Sequence, residues 1–290
     1  MEKRKVHSIE EYLQRIEFVR KRGENHPTDS GKSITFPLSN MFFRGHADID
    51  WKLTPSLFRS NQLTLCESEI LISAERRFWP SISNDKTALE KMIRFQHYGL
   101  ATRLLDLTSN PLVALYFAVC NNEEKDGKIF LFQCRDLRHD GFKFANKMAE
   151  YIWQNSWFGP SKNSSRLDLN PQVHNKQEDK KEIEELCKPQ FFYAPYNNDR
   201  IKVQSGAFIM PPYYDKNQVI EKYGPQNRIY YGEKSEIDYS PYLLDDSIRI
   251  DKTDKALLRK ELRKLGIDEA TIFPDLEHSL KEINKMFNDK

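Results

Sequence analysis

The sequence lacks the cysteine pattern of a zinc site or a disulfide framework. Its four cysteines lie far apart, form no C-x-x-C pair and have no histidine at ligand spacing (Cys66, Cys120, Cys134 and Cys187). It also lacks an apolar run that approaches the roughly 18 residues of a membrane span. No apolar run follows the charged residues at its start. These absences predict a cytoplasmic protein, with neither export nor membrane insertion.

The sequence has no excess of charge of either sign. Its 45 Lys and Arg residues against 43 Asp and Glu residues give a net charge of +2. This balance offers no argument for a nucleic-acid or membrane partner, so any basic patch must be local. A chain of 290 residues with 39% hydrophobic content can bury a sizeable core. We therefore expect a soluble globular protein.

The most informative stretch covers residues 93–119, I-R-F-Q-H-Y-G-L-A-T-R-L-L-D-L-T-S-N-P-L-V-A-L-Y-F-A-V. Gly99 falls where a helix takes a left-handed C-terminal residue. Pro111 then begins a new helix that is capped by Asn110 or Ser109, and the apolar run after it predicts a central position. The sequence thus predicts a polar loop pinned at both ends by core helices.

That loop carries His97, Arg103 and Asp106, and a buried loop must satisfy every polar group. The loop therefore either supports the fold through internal polar contacts or forms a functional site. A histidine in the last turn of a helix is usually a buried hydrogen-bonding residue. Arg103 and Asp106 most simply pair with each other or cap the following helix, so bracing is the first interpretation for both.

Two further segments contribute candidates. M-F-F-R-G-H predicts a short strand that ends at Arg44, with Gly45 allowing a close approach of the backbone to a ligand. An arginine at a strand end is more often solvated or ion-paired, and Glu67 and Glu69 on the next predicted helix are the available partners. R-I-K-V-Q-S-G-A-F-I-M-P-P, residues 200–212, alternates like a strand and contains Gln204.

We predict one α+β domain over residues 1–290. A mixed or antiparallel central sheet, built from strands near residues 41, 129 and 203, is flanked by helices. An N-terminal helix within 1–23, a polar surface excursion over 159–188 and C-terminal helices within 253–287 complete the domain.

Three segments together resemble the FRG-domain family, named for its Phe-Arg-Gly. They are F-F-R-G-H, the long motif Q-H-Y-G-L-A-T-R-L-L-D-L-T-S-N-P-L-V-A-L-Y-F-A, and R-I-K-V-Q-S-G-A-F with L-R-K-L-G-I-D-E-A-T-I-F-P-D-L. The resemblance spans roughly residues 5–285. His46, Ala101 and Leu107 depart from residues that are frequent in the family. The resemblance implies a bacterial or phage-type intracellular protein that is met in mobile or defence-associated contexts.

A second resemblance is to ADP-ribosyltransferases. Many of these begin with a strand ending in aromatic-Arg-Gly, whose arginine holds a phosphate of NAD, and end with a Glu-x-Glu or Gln-x-Glu strand before an aliphatic stretch and Pro-Pro. F-F-R-G-H and V-Q-S-G-A-F-I-M-P-P are similar to these two ends. Gly206, however, stands where the transferase glutamate is expected, so a carboxylate must come from elsewhere, with Asp106, Glu69 and Glu67 as candidates.

The preferred hypothesis is an ADP-ribosyltransferase-like effector of toxin or phage-defence type that uses NAD. It assigns catalytic roles to Arg44, His97, Asp106 and Gln204, and cofactor binding to Arg44, Gly45, Tyr98 and Arg103. The partners would be a protein or nucleic-acid target and an antitoxin or defence component, with no membrane partner and no metal. The alternatives are a non-catalytic module that senses a nucleotide or a partner, and a nuclease if Glu67, Glu69 and Asp106 converge on metal ions.

Overall fold

A computed structural model describes residues 5–24, 41–134, 141–154, 185–193, 199–212 and 237–274. The predicted excursion over 159–188 lies almost wholly outside these residues, as does the part of the predicted C-terminal helices after residue 274. No helix in the described part of the chain is long and apolar enough to cross a membrane. The fold is α+β, as the sequence predicts.

The strands are β1 (Lys5–Val6), β2 (Met41–His46), β3 (Leu105–Thr108), β4 (Gly127–Gln133), β5 (Gln190–Tyr193), β6 (Gly206–Met210) and β7 (Leu243–Ile250). The helices are α1 (Ile9–Glu24), α2 (Asn61–Leu65), α3 (Glu67–Ile82), α4 (Ala88–His97), α5 (Pro111–Val119), α6 (Gly141–Gln154), α7 (Asp199–Gln204), α8 (Lys255–Lys264) and α9 (Glu269–Ile272). Short 3₁₀ turns occupy Ser56–Arg59 and Lys252–Asp254.

The strands of the described residues form one mixed sheet of seven, in the order β1-β7-β4-β2-β3-β6-β5. The pairing of β1 with β7 is parallel, and the other neighbours are antiparallel. The two central strands β2 and β3 are joined at a single register position, Phe43 opposite Thr108. By contrast, β2 pairs with β4 along its whole length, from Met41 to His46. The sheet is therefore weakly connected in its middle.

Two helical layers pack on the sheet at either side of this weak connection. The first apolar cluster joins α1, α5, α8 and α9 to β2, β4 and β7. The second joins α3, α4, α6 and α7 to β5 and β6. Burial of these apolar side chains is the main stabilising contribution of both layers. Each part of the sheet thus has a helical layer of its own, while a third apolar cluster, which includes Phe42 and Phe191, joins the two parts.

Helix α5 is central, as its uniformly apolar sequence predicts. The side chain of Asn110 caps it by accepting a hydrogen bond from the Leu112 amide at 2.9 Å, and Pro111 occupies the first turn. Gly45 lets α5 lie directly on β2, since a Cβ atom there would be 1.9 Å from the carbonyl oxygen of Ala114. The glycine of Phe-Arg-Gly therefore admits the close approach of a helix.

Two predictions of secondary structure were wrong. Of the strand predicted over 200–212, only the second half is a strand, β6. The segment from Asp199 to Gln204 is helix α7, in which Ile201 is 6% exposed and packs in the second cluster while Val203 is 40% exposed. Two residues on one face of a half-buried strand would both be buried. The connection between α4 and α5 is also more than a loop, because it contains strand β3, which pairs with β6 over four residues.

Candidate functional site

A cavity of about 210 Å³ lies where β2 and β3 separate, beneath helices α4, α5 and α7. It brings together residues from all three sequence segments singled out above. Its polar lining includes Arg44, Gln96, His97, Asp106, Arg200 and Gln204. Apolar side chains of the two helical layers, such as Ile93, Val113 and Phe117, complete the walls. The cavity therefore combines an apolar enclosure with convergent polar groups, as small-molecule sites do.

Arg44 crosses the separation between the two central strands. Continuing the Phe43–Thr108 register would place Gly45 opposite Asp106. Instead, Nη1 of Arg44 donates to the carbonyl oxygen of Asp106 at 2.6 Å. The same nitrogen lies 3.7 Å from Oδ2 of the Asp106 side chain. The guanidinium thus satisfies a backbone acceptor that the interrupted strand pairing leaves available.

His46 holds the other end of the Arg44 guanidinium. Nε of Arg44 donates to Nε2 of His46 at 2.9 Å, and Nδ1 of His46 lies 3.2 Å from the carbonyl oxygen of Trp51. Burial, reinforced by the positive charge of Arg44, lowers the pKa of His46 to about 3. Burial also lowers the pKa of Arg44, although an arginine remains protonated in proteins. The pair therefore carries one positive charge at neutral pH.

Asp106 is the acidic group of the cavity. Its side chain is 59% exposed, and Oδ1 accepts a hydrogen bond from Nε2 of Gln96 at 2.6 Å. The amide oxygen of Gln96 in turn accepts from the hydroxyl of Thr102, which fixes the orientation of the amide. The carboxylate is thus held by Gln96 on one side and lies near Arg44 on the other.

A second arginine lines the cavity from α7. Arg200 Nη1 donates to the carbonyl oxygen of His97 at 3.3 Å, and its guanidinium lies 4.5 Å from the centre of the Phe273 ring. His97 lines the cavity from the last turn of α4, and its ring contacts the ring of Tyr98 at 4.9 Å. Two cationic side chains therefore reach this small cavity from opposite parts of the sheet.

Gln204 occupies the end of α7, where the chain turns into β6. Its Nε2 donates to the carbonyl oxygen of Ile272 at 3.1 Å, so its amide nitrogen ties α9 to the cavity wall. The carbonyl oxygen of Gln204 accepts from Thr108 at 2.5 Å. The next residue, Ser205, has a φ of 49°, a left-handed conformation that is uncommon for residues other than glycine. Hydrogen bonds on either side thus hold the turn, although the conformation of Ser205 is unfavourable.

Two of the predicted cofactor-binding residues do not line the cavity. Arg103 is 1% exposed and forms a two-point ion pair with Glu67, with distances of 2.6 Å from Nε and 2.5 Å from Nη2. Its guanidinium also lies 5.5 Å from the centre of the Phe58 ring. Tyr98 is 74% exposed and lies next to His97, outside the set of lining residues. The expected pairing of Arg103 with Asp106 was therefore wrong.

The carboxylates proposed for a metal-dependent nuclease do not assemble at the cavity. Glu67 is 2% exposed and bound to Arg103, and neither Glu67 nor Glu69 is among the cavity residues. Within the described ranges, no group of three His, Cys, Asp or Glu side chains is arranged to hold a metal ion. The expected pairing of Glu67 with Arg44 is replaced by its pairing with Arg103.

Sequence reasoning missed three residues of the site: His46, Gln96 and Arg200. His46 directly follows Phe-Arg-Gly and shares the side of β2 that carries Arg44, so the period of two was the signal that could have found it. Gln96 adjoins the predicted His97. Arg200 gave no usable signal, because its segment was predicted as a strand.

Fold and site together define the class of protein: an α+β protein with a cationic cavity at a break between two central strands. The family model of the FRG domain matches residues 39–127. This match confirms the resemblance to the FRG-domain family over the part of the chain that contains β2, β3 and helices α2–α5. No curated protein and no solved structure matches the chain. Arg200 and Gln204 lie outside the matched range.

Proposed function

We propose that the cavity binds the phosphate and ribose portion of NAD, and that the chain is an ADP-ribosyltransferase-like effector of toxin or defence type. The observation that carries the proposal is the fixed Arg44 guanidinium within 3.7 Å of an exposed carboxylate, that of Asp106, in one cavity. A cation for the phosphates and a carboxylate for the ribose are the two groups that cleavage of NAD requires.

The guanidinium of Arg44 is already held in one orientation, in which it can bind a phosphate. Of its five N–H groups, one on Nε and one on Nη1 are used by His46 and the Asp106 carbonyl. The other three lie on the two terminal nitrogens, of which Nη1 is also 3.7 Å from the Asp106 carboxylate. Arginine binds phosphate through two such groups at once. Because the guanidinium is already held, little conformational entropy is lost when the ligand binds.

Asp106 supplies the carboxylate that Gly206 does not. Cleavage of the bond between ribose and nicotinamide leaves the electron pair on the nicotinamide nitrogen and positive charge on the ribose. A nucleophile of the target then bonds to the ribose carbon and loses a proton, which the imidazole of His97 accepts. In this scheme Asp106 stabilises the cationic ribose, and the amide oxygen of Gln204 accepts from a ribose hydroxyl.

The size of the cavity fits part of NAD rather than the whole molecule. Its volume of about 210 Å³ is below the 300–1,000 Å³ of pockets that enclose drug-sized ligands. One base must therefore lie outside the enclosed space, and we propose that it stacks on the exposed ring of Tyr98, which contacts the lining residue His97. An open rim also gives the target, a protein or a nucleic acid, access to the ribose.

The test compares wild type with Arg44→Lys, Arg103→Lys and Asp106→Asn. NAD binding is measured by calorimetry, and nicotinamide release by chromatography with candidate targets present. Arg44→Lys is expected to weaken binding about 10- to 100-fold, because it keeps the charge and removes the two-point contact. Arg103→Lys is the matched control, with unchanged affinity. Asp106→Asn should bind NAD but release nicotinamide at least about 100-fold more slowly.

Absence of NAD binding to the wild type would overturn the proposal, as would an Arg44→Lys variant of full affinity. The second candidate is a nucleotide-sensing module. It is favoured by Gly206 at the expected position of the transferase glutamate and by the use of the Gln204 amide nitrogen on Ile272. It predicts thermal stabilisation of the wild type by NAD with no release of nicotinamide.

A further inference from the structure

We propose that His46 is a positioning residue, whose unprotonated Nε2 fixes the Arg44 guanidinium across the break between β2 and β3 for an oxyanion ligand. The inference deepens the proposed function, and its binding consequence rests on that function. Its structural part concerns the orientation of Arg44 alone and is tested separately.

The hydrogen bonds of His46 allow one tautomer. A carbonyl oxygen only accepts, so the 3.2 Å contact with Trp51 places a proton on Nδ1. Nε2 then carries a lone pair, and Nε of Arg44, which only donates, lies 2.9 Å away. The two contacts are mutually consistent. Each ring nitrogen has one partner of the required kind, and the imidazole is 3% exposed.

The surroundings of His46 exclude its charged form at neutral pH. The charged groups that act on it are the cations Arg44, Arg59 and Lys128. The rings of Trp51 and Phe130 lie edge-on at 6.1 Å and 5.1 Å. A proton on Nε2 would set two N–H donors against each other and abolish the hydrogen bond to Arg44. The neutral ring is therefore the state that holds the arginine.

Two separated bonds fix the plane of the guanidinium. Nε is held by His46 on β2, and Nη1 is held by the carbonyl oxygen of Asp106 on β3. Without the first bond, the side chain could turn about the second. The terminal nitrogens would then face the ligand in only part of the population, and the affinity for an oxyanion would fall by that fraction. This makes His46 a determinant of affinity that acts through Arg44.

The variants separate hydrogen bonding from packing. His46→Leu removes both polar contacts. His46→Gln keeps one acceptor for Arg44 and one donor for Trp51. Phe130→Leu is the packing control, because this ring touches His46 and forms no hydrogen bond with Arg44. The orientation of Arg44 is followed by ¹⁵N NMR of its Nε–H group, assigned by the loss of the signal in Arg44→Lys.

We expect slow exchange of the Arg44 Nε–H proton with water in wild type, His46→Gln and Phe130→Leu, and fast exchange in His46→Leu. The imidazole ¹⁵N shifts of the wild type should report a proton on Nδ1 at pH 6. Inorganic pyrophosphate is the ligand probe. His46→Leu should weaken its binding at least about 10-fold, while the other two variants stay within about threefold of wild type.

Slow exchange in His46→Leu, a proton on Nε2 in the wild type, or full pyrophosphate affinity of His46→Leu would each overturn the inference. If the wild type binds neither pyrophosphate nor NAD, the proposed function fails, while the exchange and tautomer measurements still decide the position of Arg44. If His46→Leu does not fold, the wild-type tautomer and the retention of slow exchange in His46→Gln decide it.

Discussion

Two arginines of the FRG domain, Arg44 and Arg103, have opposite environments. Arg103 is 1% exposed and binds both oxygens of Glu67. Arg44 is held by a neutral imidazole and a backbone carbonyl, and it lines a cavity next to the exposed Asp106. A paired carboxylate makes the first arginine a brace between α3 and the segment before β3. The second is held by two neutral partners and lies 3.7 Å from the exposed carboxylate of Asp106, a looser contact than the one that Arg103 makes with Glu67.

The largest effect that this comparison predicts is the loss of stability when the buried ion pair of Arg103 and Glu67 is broken. Glu67→Gln leaves the Arg103 guanidinium buried without a counter-charge, and breaking a buried ion pair in this way costs about 3–5 kcal/mol. Urea unfolding at pH 7 measures the loss. NAD affinity of the folded variant should be unchanged, because Glu67 does not line the cavity.

The matched control is Asp50→Asn, which breaks the pair of Asp50 with Lys125, whose side chains are 72% and 53% exposed. Exposed pairs are worth about 0–1 kcal/mol, so little should change. Equal losses of unfolding free energy in the two variants would show that the buried pair of Arg103 and Glu67 stabilises the fold no more than an exposed pair does.

The next-largest effect is on the pH dependence of protein stability, and it arises from His46, which holds Arg44 at the cavity. The pKa of His46 is about 3 in the folded protein and about 6.5 in the unfolded chain. Between these values the unfolded chain binds a proton that the folded chain does not, so stability falls as the pH falls. The contribution is fully present above about pH 6.5, and it is roughly 3 kcal/mol smaller at pH 4.5.

His46→Gln removes this contribution, so its stability should fall less than that of wild type between pH 6.5 and 4.5. The difference between the two proteins is the required measure, because several carboxylates with lowered pKa, such as Asp251, also weaken the fold in acid. Parallel pH profiles of the two proteins would contradict a neutral, buried His46.

The smallest effect concerns Asn110, a bracing residue in the same motif as His97 and Asp106. Asn110→Ala removes the cap of α5 and should cost about 1 kcal/mol. NAD affinity should stay within about twofold of wild type, as judged by calorimetry. Asn110→Ser, which retains a capping oxygen, is the control and should restore most of the stability. A large loss of NAD affinity in Asn110→Ala would show that this residue contributes to ligand binding and does not only stabilise the fold.

Much of the fold was predictable from local sequence. Pro111 and Asn110 mark the start of α5, and Gly99, with a φ of 93°, ends α4 as expected. These signals act within one turn of helix, so the sequence carries them directly. The apolar run after Pro111 likewise required burial. Short elements were harder to predict, because the four-residue β3 and the six-residue α7 are too short to display a clear hydrophobic period.

The partners of the polar residues were the least predictable part. Arg103 and Glu67 are 36 residues apart, and nothing in either segment selects this pairing over Arg44 with Glu67. The choice depends on how α3 packs against the segment before β3, which is a tertiary property. Arg44, Asp106 and Gln204 were predicted as neighbours from their motifs, and all three line one cavity. Their chemical roles stay predictions.

The single position of pairing between β2 and β3 divides the sheet into two leaves, β1-β7-β4-β2 and β3-β6-β5. Each leaf has its own helical layer, but a third apolar cluster joins the two leaves, in which the rings of Phe42 and Phe191 pack with their centres 4.5 Å apart. Arg44 belongs to one leaf, and Asp106 and Arg200 belong to the other. A ligand that contacts the arginines of both leaves would therefore add a polar connection between them, beside the Phe43–Thr108 pairing and the shared apolar cluster.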